Sequence, residues 1–258
     1  MITLYDNPFS PFARKVRLVI AYKGLAAARI DALALAHQDD LLAVNPRGEV
    51  PVIVDKGVTV TNSADIVAYL EHGYPAPPIL PADPGVRVAA RAWERLADSV
   101  FDAIIHDISI WTWPTHHRQD VPPAGLIEAG CRDIATILDR METGLRDRDF
   151  LCGELSIADL ACFPHVSSLK PLGIGIDSAA QPRLCDWNRR MRALPIVQQD
   201  LEYVKRMARE RFVDAPSPYE AEKIVWRGDR LEWLLHNGFA DWWFAEYRAG
   251  RAVVPSSL

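Results

Sequence analysis

Cysteine is scarce in this 258-residue chain and never closely spaced: Cys131, Cys152, Cys162 and Cys185 form no C-x-x-C pair. That spacing fits neither a disulfide framework nor a thiol-based zinc site, so the four read as reduced thiols, mostly of the core. No apolar stretch approaches the roughly 18 residues that span a bilayer. The first residues, Met1-Ile2-Thr3-Leu4-Tyr5-Asp6, lack the basic-then-apolar order of a signal peptide. A cytoplasmic protein with no membrane partner is therefore expected. Long basic runs are also missing and the net charge is −5, which disfavours nucleic acid as a partner. There is no G-x-S-x-G elbow, no glycine-rich phosphate loop and no H-E-x-x-H. Serine hydrolase, nucleotide-cofactor and zinc-protease readings fall with them. His106-Asp107 falls in a helical pattern and His116-His117 in a proline-bounded loop, so no metal is expected.

What is present is an ordinary globular composition, 49% hydrophobic and 24% charged, long enough for one large or two modest domains. Residues 1 to about 80 alternate short β-type runs with helical patterns, as an α/β unit does. Ile2-Thr3-Leu4-Tyr5 reads as a strand, and Phe12, Val16, Val19 and Ile20 recur at helical spacing while Arg14, Lys15 and Arg17 point elsewhere. A second strand runs from about Ala28 to Ala32. Val50 to Val54, a turn at Asp55-Lys56-Gly57, and Val58 to Val60 read as a hairpin. A helix follows with Ser63 as its N-cap. Five prolines between Tyr74 and Gly85 mark a linker. Beyond it the pattern is helical: Val86 to about Ile110, Leu126 to about Arg146, Ile157 to about Leu169 and Pro182 to about Met191. A last segment, Leu201 to Leu258, carries Trp226, Trp233, Trp242 and Trp243 and reads either as a lid or as packing against the body.

Four short motifs stand on this frame: Ser10-Pro11-Phe12-Ala13, Asn45-Pro46-Arg47-Gly48-Glu49-Val50-Pro51, Thr61-Asn62-Ser63-Ala64-Asp65-Ile66 and Ser156-Ile157-Ala158-Asp159. In this order, over roughly residues 1 to 200, they resemble the glutathione transferase superfamily in its serine-type form. The resemblance implies a thioredoxin-like, glutathione-binding α/β domain over residues 1–78. An all-α helical domain follows over 86–258, with a C-terminal extension from about 201. It implies that Ser10 is catalytic, that Phe12, Val50, Pro51, Asn62 and Ser63 contact glutathione, and that Ser156 and Asp159 form a buried N-capping box. Pro51 is implied to be cis, with the Val50 backbone pairing with the glutathione cysteine. Ile105, Trp111 and Trp113 fall where the family places the pocket for a hydrophobic electrophile, although each also suits plain core packing. Glutathione as co-substrate, no metal and a homodimer complete the expectation.

Two roles suit Ser10. As an N-cap it needs no further function. As a hydroxyl at the positive end of a helix begun by Pro11, it adds a donor to a site that already favours an anion by about 0.3–1 kcal/mol. A hydrogen bond to a charged acceptor adds about 1.5–3 kcal/mol, enough to lower a thiol pKa by one to three units. Lacking a thiol at this position, the chain is not suited to disulfide-exchange chemistry. Two departures from the common family pattern bear on glutathione affinity: Asn62 stands where many relatives carry an acid or Gln, and Glu49 where many carry Lys or Gln. Lys15, Arg14 and Arg47 are the candidate cations to offset Glu49, and the sequence does not single one out. Three functions follow: a glutathione transferase acting on a hydrophobic electrophile, a non-catalytic binding module of the same fold, or a specialised glutathione-dependent isomerase, dehalogenase or ether-cleaving enzyme.

Overall fold

In the computed structural model, residues 1–32, 34, 37–113, 121–122, 124–212 and 240–250 are described. Strands β1 (Ile2–Asp6), β2 (Ala27–Asp31), β3 (Val52–Asp55) and β4 (Val58–Thr61) form one sheet in the order β2-β1-β3-β4. β1 runs parallel to β2 and antiparallel to β3, which turns through Lys56-Gly57 into antiparallel β4. Helices α1 (Pro11–Tyr22), α2 (Gln38–Val44) and α3 (Ser63–Gly73) complete an α/β thioredoxin-like domain.

Alternation along the strands sends side chains to both faces of this sheet. Ile2, Leu4 and Ile53 join the main core with Val16, Val19 and Ile66, whereas Tyr5 and Val52 meet Leu41 of α2 on the other face.

The helical domain comprises α4 (Pro84–Leu96), a π-helical turn (Ala97–Phe101), α5 (Asp102–Thr112), α6 (Leu126–Gly144), α7 (Ile157–Leu169), α8 (Pro182–Ala193) and α9 (Pro195–Phe212). The single helix expected from Val86 to Ile110 is thus interrupted by a π turn, whose extra residue shifts the register between α4 and α5. A further helix, α10 (Ala240–Arg248), exposes Trp242, Phe244 and Tyr247. α9 runs through position 201, and Trp226 and Trp233 lie outside the described residues. The cysteines also differ from expectation: only Cys162 is buried, while Cys131 is exposed on α6 and Cys152 and Cys185 are intermediate.

α7 is apolar around most of its circumference and is buried between α1 and α4, which makes it the axis of the molecule. Its start is fixed by the expected capping box: Ser156 Oγ accepts from Ala158 N at 3.3 Å and the Asp159 carboxylate accepts from Ser156 N at 3.1 Å. The linker docks on the same end, where Ile157 N donates to the Ile79 carbonyl at 3.0 Å. Among the described residues no helix is long and apolar enough to cross a membrane.

Candidate functional site

Strand register decides what meets at the carboxyl end of β1. Tyr5 pairs with Val52, and Val52 with Thr61. The chain leaving β1, the chain entering β3 and the chain leaving β4 therefore converge at one end of the sheet. Those three segments carry Ser10, Val50-Pro51 and Asn62-Ser63, so residues spread over 54 positions of sequence come to a common edge.

Ser10 caps α1 with extended backbone, and Pro11 takes the first helical position. Its Oγ accepts from Ala13 N at 3.3 Å, a role that leaves the O–H able to donate. Capping and thiolate binding are thus compatible in one hydroxyl. The Val50-Pro51 peptide is cis. The turn before it is tied by Asn45, whose Nδ2 donates to the Glu49 carbonyl at 2.8 Å and whose Oδ1 accepts from Arg47 N at 3.2 Å. Gly48 completes the turn at φ 62, a conformation that favours glycine.

The third segment differs by one residue from expectation. Asn62, not Ser63, is the N-cap of α3: its Oδ1 accepts from Ala64 N at 3.0 Å. Asn62 sits at φ 66, in the left-handed region where asparagine is enriched. Ser63 becomes the first helical residue and is buried, with the open N–H groups of the first turn around it.

The cations meant to offset Glu49 divide. Arg47 reaches it at 3.0 Å, an exposed pair worth little in stability but neutralising the acid locally. Arg14, Lys15 and Arg17, which the periodicity points away from the apolar face, are all buried, because helices of the second domain cover that side of α1. Lys15 Nζ pairs with Glu94 at 3.1 Å and with Asp98, and Arg14 pairs with Asp200 at 2.9 Å. Burial raises the Asp98 carboxyl above the ordinary carboxylate range, against the pull of Lys15. Neither Arg14 nor Lys15 is at hand for a ligand carboxylate.

Phe12, in the first turn of α1, is half-buried and presents its ring to His165 of α7, edge-on at 6.4 Å. His165 is buried, stacked on Phe101 at 5.4 Å, with Nε2 3.5 Å from Asp102 Oδ1. A lone histidine in an apolar helix gave no sequence signal of this contact. Ile105 is buried in the main core, while Trp111 and Trp113 are half-buried at the end of α5. His116 and His117 lie outside the described residues; among those described no cluster of potential metal ligands occurs.

Comparison with known proteins agrees with this architecture. The family model for the glutathione S-transferase N-terminal domain matches residues 4–78, and that for the glutathione S-transferase C-terminal domain matches residues 105–195. The chain is 30% identical over 213 residues to the probable glutathione S-transferase GSTU1 of Oryza sativa subsp. indica, covering 78% of this chain and 89% of that protein. It is 28% identical over 205 residues to protein LigF of Sphingobium sp. strain SYK-6, covering 66% of this chain and 80% of LigF. The crystal structure of a glutathione S-transferase from Methylobacillus flagellatus KT with glutathione bound superposes with a TM-score of 0.67 at 26% identity, covering 78% of this chain and 98% of that one. With its fold, its two domains and its relatives in agreement, the chain belongs to the glutathione S-transferase family.

Proposed function

We propose that the protein is a glutathione transferase in which Ser10 stabilises the glutathione thiolate for attack on a hydrophobic electrophile. The observation that carries this reading is the Ser10 hydroxyl at the α1 N-terminus, with a donor to spare, beside the sheet edge shared by Val50-Pro51 and Asn62-Ser63. The Val50 backbone pairs with the cysteinyl part of the peptide. The α3 N-terminus, with Asn62 and Ser63, receives the γ-glutamyl carboxylate. Phe12 and Pro51 bound the thiol end, and Ile105, Trp111 and Trp113 on α5 form the wall met by the electrophile. The thiol proton leaves to solvent, the sulfur lone pair forms the new S–C bond, and the leaving group departs with the electrons of its own bond. Reactivity rises because the helix terminus and the Ser10 O–H favour the anion, together by about 2–4 kcal/mol. No metal takes part, and a cytoplasmic homodimer belongs to the same reading.

Two measurements test it. Glutathione should raise the melting temperature along a saturating curve, since a ligand bound only by the native state stabilises it in proportion to ln(1 + [L]/Kd). No shift at about 10 mM would remove glutathione as co-substrate. Ser10→Ala should move the ascending limb of the kcat/KM pH profile upward by about one to two pH units. An unmoved limb would take Ser10 out of the mechanism.

A second reading, glutathione-dependent ether cleavage, is favoured by the similarity to LigF, whose solved structure is that of a β-etherase. It uses the same thiolate, with an aryloxide as leaving group. Turnover of an aryl β-ether well above that of 1-chloro-2,4-dinitrobenzene would select it, and the reverse ranking would select general transfer.

A further inference from the structure

The loop that delivers Ser10 is held from behind by a single guanidinium. Arg17, two turns into α1, reaches back beneath its own helix start. Its Nη1 donates to Asp6 Oδ1 at 2.6 Å and to the Asn7 carbonyl at 3.3 Å. Its Nη2 donates to the Pro8 carbonyl at 3.1 Å. The guanidinium thus grips three successive residues, Asp6, Asn7 and Pro8, just before Phe9 and Ser10. The other edge of the fork faces the helical domain, where Nε and Nη2 donate to Asp200 Oδ1 of α9 at 2.9 and 2.7 Å. Asp200 also takes Arg14 Nε at 2.9 Å, and the Tyr203 ring, less than a turn further along α9, lies 5.0 Å from the Arg17 guanidinium carbon.

This arrangement answers a local need. The loop has left the sheet, so the Pro8 carbonyl requires a donor from elsewhere and finds it in Arg17, while the Asn7 carbonyl takes both Ser10 N, at 3.2 Å, and Arg17. The Asn7 side chain is spent in the other direction: its Oδ1 accepts from Phe9 N at 2.9 Å and from Ser10 N at 3.3 Å. The direction of the Ser10 backbone, and with it of Oγ, therefore depends on where the Asn7–Pro8 backbone is held. A planar five-donor fork fixes that direction; an ammonium group, a point charge on a flexible stem, does not.

We propose that Arg17, braced by Asp200, is the positioning residue for Ser10, holding the Asn7–Pro8 backbone so that the Ser10 O–H is aimed at the sulfur of the bound thiolate. Burial works against the Arg17 charge, but Asp200 and Asp6 outweigh it and hold the guanidinium above its ordinary range. Asp6, in turn, is raised by its burial and drawn down by Arg17. Two acids and two arginines, Asp6, Asp200, Arg14 and Arg17, balance one another, so the fork stays charged throughout the range in which the thiol titrates. The aim at a thiolate rests on the glutathione reading above; the grip on the loop does not.

Arg17→Lys and Asp200→Asn in the full chain test both parts. Amide hydrogen exchange over residues 7–13 should accelerate about tenfold in Arg17→Lys while α7 keeps its protection. The ascending limb of the kcat/KM profile should move toward higher pH as far as it does in Ser10→Ala, with kcat falling more than the KM for glutathione rises. Combining Arg17→Lys with Ser10→Ala should move the limb no further, since both remove the same interaction. Asp200→Asn should act in the same direction with a smaller shift, and it decides the question if Arg17→Lys does not fold. Unchanged exchange over residues 7–13, or a lower melting temperature with an unmoved pH profile, would overturn the proposal and leave Arg17 a structural brace. If glutathione gives the wild type no thermal shift, the transferase reading fails by itself and the exchange measurement still decides the grip on the loop.

Discussion

Asp159 illustrates what one buried carboxylate costs and gives. It accepts from Leu151 N at 3.0 Å, Ser156 N at 3.1 Å and Trp187 Nε1 at 2.8 Å, donors that favour the anion. Desolvation outweighs them and pushes its pKa up to about 6. A folded-state pKa above the unfolded value means that the native state binds the proton more tightly. The contribution to stability is therefore complete below about pH 4 and is lost as pH rises through about 6. In Asp159→Asn the fall of stability between pH 4 and 6 should flatten by up to about 1.4 kcal/mol per pH unit, read from urea midpoints. An unchanged slope would show that other groups set it. Trp187→Phe removes one donor to this carboxylate and should cost about 1.5–3 kcal/mol at pH 7, again by urea titration. The box was legible in sequence because Ser and Asp three apart before an apolar run carry their own mechanism. The cap of α3 was misplaced by one residue because the left-handed backbone of Asn62 leaves no mark in composition.

Helices place the site, and their spacing is set where side chains are missing. Gly130 of α6 lies so close to α5 that a Cβ there would stand 2.4 Å from Ile108 Cγ2. Ile108 sits between Ile105 and Trp111 on the helix proposed as the electrophile wall. Gly130→Ala should therefore cost about 1–3 kcal/mol and displace α5, raising the KM for the electrophile while leaving glutathione affinity nearly unchanged. Ile108→Ala in the same chain should restore part of the loss by making room, whereas additive costs would exclude a steric cause. At this scale the strands and most of the helices were readable in order, since hydrophobic periods of 2 and 3.6 differ plainly, but the periodicity gave neither α2 nor α9. The π turn at Ala97–Phe101 was not, because one extra residue inside an otherwise continuous helical pattern only blurs the period. Nor was the burial of Arg14, Lys15 and Arg17: a basic helical face looks solvated until a second domain is laid over it.

Across the whole molecule, that second domain is bound to the first by charge as well as by apolar packing. Lys15 joins α1 to Glu94 and Asp98, Arg14 and Arg17 join it to Asp200, and Arg211 of α9 reaches Asp31 at the end of β2. Asp200 is separated from its partners by 183 and 186 positions, a distance over which a single sequence carries no pairing signal. The three groups are nearly sealed from solvent, so the pairing is not screened away as surface pairs are. Asp200→Ala leaves two guanidinium groups buried without their shared acid and should cost about 3–5 kcal/mol. Because the same acid spans both domains, the loss should not stay in one of them. No tryptophan precedes position 93, and the described Trp93, Trp111, Trp113 and Trp187 belong to the helical domain, so a fluorescence change from these four reports that domain, while amide exchange in β1 and β3 reports the sheet. In the wild type the two probes should unfold together, and in Asp200→Ala both should shift by the same amount. If β1 and β3 lose protection while the tryptophan transition stays in place, the domains are only neighbours. Nothing in α9 would then be transmitted to the loop that holds Ser10.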